Sequence, residues 1–570
     1  MLDLRSKQIL GTVTLVAVAA VTLVVAPYTL LDPINIPKLS TLAFFSIIAL
    51  SLYIHGVKEL LTSRYRVVFI VASIFILQII LVVIFSGATL NGQIYGVHGR
   101  NTGALAYVCL TLLLVGSVLI SDRDFLKRFV SMTLAVGTIL IVYGNLQYLN
   151  LDPLPFKTAY TVNAPVGTLG NPDFQSAFMG MIAVVCFTMA LNPRFKTFTR
   201  IALILMGISS IVVIYETLAK QGYFAFMAGI GVVAILWLFI AKRKVLGTVT
   251  VGIGVTGGGF VFLGLINMGP LASYLYKGSL EARGFYWRAA MRMLLGHPFF
   301  GVGMDGYSDW FRRTRDADYV AKKFFSHSNS AHNVYLDIAT SGGFPLIIIY
   351  FVLVSLVIIA IIRVVKRLNS FDVYFASIVG AWFAYQVQLV VSINQLGLAI
   401  WGWVLSGLII GYEIHTRSPE SNQALPIKSK PIRKSQKIST QPLSSATVMR
   451  LFAGVILASL VAIPPYYANA TYLTAFKSFD VKAMQSAAYL KPVEEYRLLH
   501  AATMFRDNNF NSLTLEILKD ATVRFPDSFD LWMVWAILPG AAPADAAHAV
   551  TQLQRLDPYN PDVTCWQCVG

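Results

Sequence analysis

The sequence predicts an all-α, polytopic membrane protein, and three observations predict it. Of 570 residues, 56% are hydrophobic and only 13% charged, with a mean hydropathy of +0.66. Apolar runs of about 20 residues, the length that crosses a bilayer, recur along most of the chain. Basic residues gather in alternate connections between those runs, which is the mark of membrane topology. The net charge of +17 therefore belongs to short loops. In the most basic tract, 416–446, no aromatic residue interleaves with the charge, so a nucleic-acid partner is not expected, whereas contact with the lipid bilayer is.

About thirteen spans are predicted, at 9–26, 39–56, 67–86, 103–120, 125–145, 173–191, 201–218, 222–240, 245–266, 343–362, 372–392, 394–412 and 448–465. The first is followed by many others, so it reads as a retained span and not a cleaved signal. The basic connections hold Arg5 and Lys7, Lys58 to Arg66, Arg123 to Arg128, Arg194 to Arg200, Lys242 to Lys244, Arg363 to Arg367, and the tract from Arg417 to Lys437. Placing them in the cytoplasm puts the N-terminus inside and, after thirteen spans, the C-terminus outside.

The same reading divides the chain. Residues 1–415 form a polytopic membrane domain with a long outer loop at 267–342, and 448–465 is the last span. Between them, 416–447 is rich in Ser, Pro, Gln, Lys and Arg and reads as a disordered basic linker. Residues 466–570 turn amphipathic, with helical spacing in Leu513–Phe525, Phe529–Leu538 and Ala544–Leu556 and Pro-containing turns between them. This tail reads as a small extracytoplasmic helical domain, tetratricopeptide-like, of a kind suited to a protein partner. Cys109 and Cys186 sit in apolar runs as small hydrophobes. Cys565 and Cys568 have redox or metal spacing but lack the second pair of ligands that zinc needs, so a disulfide or two free thiols is expected.

Chemistry concentrates between Glu281 and Pro345. Helical spacing from Gly284 to Leu295 puts Arg288 and Arg292 on one face and Arg283 beside Trp287. Gly301, Gly303 and Gly306 predict a flexible turn, without the strand and Lys-Ser/Thr of a nucleotide loop. The basic run from Arg312 to Lys323 reads as a solvated face. His332 ends a polar turn that leads into an apolar span, with Tyr335 and Asp337 close behind. A neutral imidazole there suits a general base taking a proton from a hydroxyl, and a helix-capping histidine is the competing reading. His327 and His332 lie five residues apart, which does not align two ligands on a helix, so no metal is expected.

Four cations, Arg100, Lys220, Arg283 and Arg288, break the rule that positive charge stays inside. Anion binding accounts for them together, and a lipid-linked pyrophosphate is the anion an outer membrane face would offer. Lys220 taken alone reads rather as a cation that snorkels to the headgroups, and Asn171 in Gly170-Asn171-Pro172-Asp173 reads at least as well as a helix cap.

Arg283-x3-Trp287, His297-Pro298-Phe299-Phe300-Gly301-Val302-Gly303, His332-Asn333-x-Tyr335-Leu336 and Gly342-Gly343 before a span resemble, as a set, the O-antigen ligase/polymerase family. Gly170-Asn171-Pro172 and Asn394-Gln395-x-Gly397 before a Trp-rich helix extend the resemblance over about residues 80–412. It implies a GT-C-like membrane glycosyltransferase of the bacterial inner membrane, without cofactor or metal. The implied donor is a glycan on undecaprenyl pyrophosphate, and the acceptor a glycolipid, glycan or protein. It also implies that His332 activates the acceptor, that Arg283 binds pyrophosphate, and that transfer inverts the anomeric centre. The family tends to have an arginine where Lys220 stands here. Arg288 and Arg100 are expected to assist at the pyrophosphate, and Asn333, Tyr335, His327, Asn171 and Trp287 to support the site.

Ligase, chain polymerase and protein O-oligosaccharyltransferase all remain open. From another class, an exporter of lipid-linked glycans should show internal repeats and ionisable residues at mid-membrane. Few charges lie inside the spans, with Glu216 the main exception. A pure membrane anchor for a partner-binding tail would need neither so many spans nor so polar a loop.

Overall fold

The computed structural model describes residues 3–154, 164–322, 327–417 and 443–564. Among them every regular element is a helix and none is a strand. The predicted linker falls largely outside the described residues, as do Cys565 and Cys568. Each predicted span lies on a helix, and eleven helices are long and apolar enough to cross a membrane. The other two, Ala104–Ile120 and Val373–Gln388, have 17 and 16 residues. At 1.5 Å per residue they extend about 25 Å, short of a hydrocarbon core of about 30 Å. They are enclosed by neighbouring helices and nearly every residue on them is buried.

The bundle centres on Leu396–His415 and Pro172–Ala190, which bury almost their whole length. Small residues let the backbones close in, as expected where lipid offers no hydrophobic drive to helix pairing. A Cβ on Gly229 would sit 2.7 Å from the Gly380 carbonyl oxygen, so the helices Gln221–Ile240 and Val373–Gln388 touch at backbone distance.

One long helix, Val334–Arg367, shapes the loop end of the bundle. It starts ahead of the predicted span at 343–362 and is interrupted at Gly342 (φ −135°) and Gly343 (φ +71°), just before Pro345. The interruption frees carbonyls and an N–H, which the long loop and Gln78 take up. Val302 N donates to Thr340 O at 2.8 Å, while Phe344 N donates to Pro298 O at 2.8 Å. Gln78 Nε2 bridges Phe299 O (3.1 Å) and Gly342 O (3.3 Å). A Cβ on Gly301 would collide with the Thr340 carbonyl, and one on Gly343 with that of Pro298. The predicted flexible turn is therefore a fixed strap, because its glycines serve close backbone approach.

The last membrane helix, Ser445–Lys477, has 33 residues and so extends about 50 Å. It carries on beyond the predicted 448–465 to join the tail helices Val481–Ala488, Glu495–Asp507, Asn511–Arg524, Phe529–Ala536 and Pro543–Leu556. These share a core of their own around Leu498, Phe505, Leu518, Leu531 and Leu553.

The tail docks on the long loop, and the basic run expected to be solvated is what it docks on. Arg315 Nη2 meets the Asp557 carboxylate oxygens at 2.7 and 2.6 Å with both residues buried. Arg313 pairs with Asp527 at 2.5 Å, and Arg312 with Asp530 and Asp557 at 3.6 and 3.7 Å. The Arg312 guanidinium also lies over the Phe529 ring, 4.1 Å from its centre. Nearby, His98 Nδ1 lies 2.9 Å from Glu494 Oε1 and its ring stacks on Tyr496 at 3.8 Å. Solvation was the expectation because the aspartates stand more than 200 positions away, and no local pattern announces them.

Candidate active site

The turn before Val334–Arg367 is built backwards from Asp337. Asn333 caps the helix, its side-chain oxygen accepting from Leu336 N at 3.2 Å. One turn on, the Asp337 carboxylate accepts from Ser330 Oγ (2.7 Å) and Ala331 N (2.8 Å). Ser330 Oγ in turn accepts from His332 N at 2.9 Å. These bonds hold His332 at φ +51°, a left-handed conformation that a residue with a side chain adopts only when its surroundings impose it. The ring then lies against Tyr286, with centres 5.5 Å apart and planes tilted by 31°.

Arg100 supports this turn from below. It is 4% exposed, donates to the Asn329 carbonyl, and lies 3.4 Å from Asp305 and 3.5 Å from Asp337. Asp305 also accepts from Thr102 Oγ1 (3.1 Å) and Val97 N (2.8 Å). The guanidinium is enclosed by its own carboxylates.

Arg283 stands on the loop helix Ser279–Gly296, one turn before Trp287. Its partner is Asp173, 3.6 Å away, at the start of Pro172–Ala190. That start is fixed by Asn171, whose side-chain oxygen accepts from Asp173 N at 2.8 Å, with Pro172 in the first helical position. The next helix pair is tied to the same place. Gln221 Nε2 donates to the Asp173 carbonyl, Ser176 Oγ donates to Ala219 O at 2.9 Å, and Gly222 N donates back to Ser176 Oγ at 3.1 Å. Lys220, between these anchors, is exposed and makes no ion pair among the described residues.

Electrostatics follow from the placement. Burial, and then the positive charges of Arg283 and Arg100, pull the His332 pKa down to about 3. The imidazole is neutral at physiological pH. An anion beside Arg283 would offset that charge and bring the pKa back up.

The predicted site residues therefore separate. His332, Arg283, Lys220 and Asn171 border one region, while Trp287, one turn along from Arg283, packs half-buried in the loop-helix cluster, its indole N–H without a partner among the described residues. Arg288 points elsewhere, pairing with Asp316 at 2.6 Å on an exposed face that Arg292 shares. Tyr335 is committed inside the bundle, donating to Gln386 Oε1 at 2.9 Å and stacking on Phe351. His327 is surface-exposed and bonded to Ser308 Oγ at 2.9 Å, on the side of the docked tail. Two carboxylates were not singled out from sequence. Asp173 had a signal in its place after Asn171-Pro172, and Asp337 in following a polar turn by one helical turn. No group of His, Cys, Asp and Glu among the described residues is arranged to hold a metal ion.

Residues 204–351 match a family model described as O-antigen ligase. The match takes in Lys220, Arg283, Trp287, Arg288, His327, His332, Asn333 and Tyr335, while Arg100 and Asn171 lie before it. No curated protein matches the chain. A multi-span helical bundle with this stretch at its loop end is a membrane protein whose residues 204–351 are similar to the O-antigen ligase family.

Proposed function

We propose that the protein transfers a glycan from undecaprenyl pyrophosphate to an acceptor hydroxyl at the outer face of the bacterial inner membrane, as an O-antigen ligase-like enzyme. The observation that carries this reading is His332, neutral and held in a strained turn with the Arg283 cation among its neighbours. The acceptor oxygen attacks the anomeric carbon as its proton passes to the His332 ring. The bond from that carbon to the pyrophosphate oxygen breaks on the opposite face, and the electron pair leaves with undecaprenyl pyrophosphate. One displacement inverts the anomeric centre.

Arg283 and Lys220 meet the charge that grows on the leaving group, where preorganised cations count most. Asp173 holds Arg283 until the donor arrives. Arg100 belongs to the support of the His332 turn and Arg288 to the outer face of the loop helix, so neither touches pyrophosphate in this reading. In the free protein His332 is a weak base. The donor's own pyrophosphate, set beside Arg283, raises its basicity when the substrate is in place.

The test is glycan transfer by the purified full chain from a radiolabelled polyprenyl-pyrophosphate glycan to extracted envelope lipids. The expected product has the anomeric configuration opposite to the donor's. A single added block marks a ligase and a ladder marks a polymerase. Retained configuration contradicts the single displacement, and movement of the donor across liposomes without transfer favours an exporter.

A further inference from the structure

A second cleft, partly open to solvent, lies between the long loop and the tail. One wall is the short helix Leu90–Tyr95 with the turn to Asn101. The second is Met304 to Asp309 of the long loop, and the third is the tail at Glu495 and Phe525–Ser528. Neither His332 nor Arg283 lines it.

Its chemistry is that of a surface for hydroxyls. Asp309 and Glu495 have no cation within ion-pair distance among the described residues. Burial first, and then the neighbouring carboxylates, raise the pKa of both, which favours carboxyl groups that donate as well as accept. Asn101 is 1% exposed and its side-chain oxygen has no partner among the described residues, while its Nδ2 donates to Tyr95 O at 3.3 Å. A buried acceptor left unpaired is costly, and a ligand hydroxyl in the cleft would satisfy it. Tyr95 and Phe525 add aromatic surface. The one arginine in the wall, Arg497, already donates to the carbonyls of Ala487, Leu490 and Pro492. With carboxyls that donate as well as accept and an arginine already occupied, the cleft offers partners to sugar hydroxyls and no free guanidinium to a pyrophosphate.

We propose that this cleft binds a glycan, with the tail supplying one wall of a carbohydrate site. The proposal rests on the glycan-transfer reading for the source of its ligand, which is the acceptor glycan or the far end of the donor glycan. Asp305 borders the cleft and pairs with Arg100, and Arg100 pairs with Asp337. A bound glycan is therefore joined to the His332 turn through two ion pairs.

Gly92 gives the test. It borders the cleft, and a Cβ there meets no atom within 4 Å, so the backbone admits a side chain and Gly92→Trp, with folding checked by melting temperature, sets an indole at the cleft wall. In native membranes, the photocrosslinker p-benzoylphenylalanine in place of Asn91 should capture sugar covalently on the delipidated protein, and Gly92→Trp should abolish the capture. No captured sugar, or equal capture in the Gly92→Trp variant, overturns the proposal. In the transfer assay, Gly92→Trp and Glu495→Gln should each raise one glycan substrate's KM at least fivefold with kcat within twofold. The substrate affected identifies acceptor or donor, and two unchanged KM values overturn the proposal. If wild type transfers nothing, crosslinking still tests the cleft, so the two readings fail separately.

Discussion

Arg315 on the long loop and Asp557 near the end of the described chain form an ion pair with both side chains buried and nitrogen–oxygen distances of 2.7 and 2.6 Å. It joins the tail to the long loop across 242 positions of sequence. Breaking a buried pair by removing one partner costs about 3–5 kcal/mol, because the other charge is left uncompensated. Arg315→Ala should therefore loosen the tail and open the long loop to limited proteolysis, with a lower melting temperature by differential scanning fluorimetry. Arg315→Met with Asp557→Leu, which leaves no orphan charge, should recover most of the loss.

The two loop-helix arginines should differ sharply. Arg288 and Asp316 form an ion pair at the exposed face, and such pairs contribute about 0–1 kcal/mol. Arg288→Ala should keep transfer within about threefold of wild type. Arg283→Ala removes the cation beside Asp173 and should lower kcat/KM by about 100-fold or more, on the scale of one lost transition-state donor. Initial rates of labelled-glycan transfer decide between these outcomes.

Asp337 acts through the turn it holds, not on substrate. Asp337→Asn keeps the shape but offers an amide where Ser330 Oγ, Ala331 N and Arg100 need acceptors. Misplacing His332 by about 1 Å should cost about 100-fold in kcat, with donor KM changed little. Asp337→Glu should rescue less than half of that loss, since the longer side chain misplaces the same bonds. A purely structural role would instead lower the yield of folded protein and leave kcat per folded molecule intact.

The pH dependence follows from the lowered pKa of His332. A folded pKa of about 3 against about 6.5 unfolded means that the unfolded chain binds more protons between these values. Stability from this group is present above pH 6.5 and is lost as pH falls toward 3. For catalysis, the kcat/KM profile of the free enzyme should show no histidine limb near 6.5. The kcat profile should show an acid limb at higher pH than kcat/KM, because bound pyrophosphate offsets Arg283. Coincident limbs near 6.5 in both profiles would contradict this.

Hydropathy made the spans legible, since each apolar run has one physical use in a bilayer. His332, Arg283 and Lys220 could be singled out as candidates because polar groups at an otherwise apolar bundle end stand out, and their roles stand as proposals. The use of Arg100 was not, because a buried guanidinium enclosed by Asp305 and Asp337 depends on three distant segments meeting. Arg312, Arg313 and Arg315 looked solvated for the same reason. Gly301 and Gly343 suggested flexibility, but their lack of a Cβ serves contact between the strap and the interrupted helix.

The most direct measurement is transfer by His332→Ala beside wild type, in the same detergent and with folding checked by melting temperature. The account predicts a fall in kcat of at least 100-fold with donor binding retained, the scale of losing a general base. Full activity in a folded His332→Ala protein would contradict it and move the chemistry to another residue.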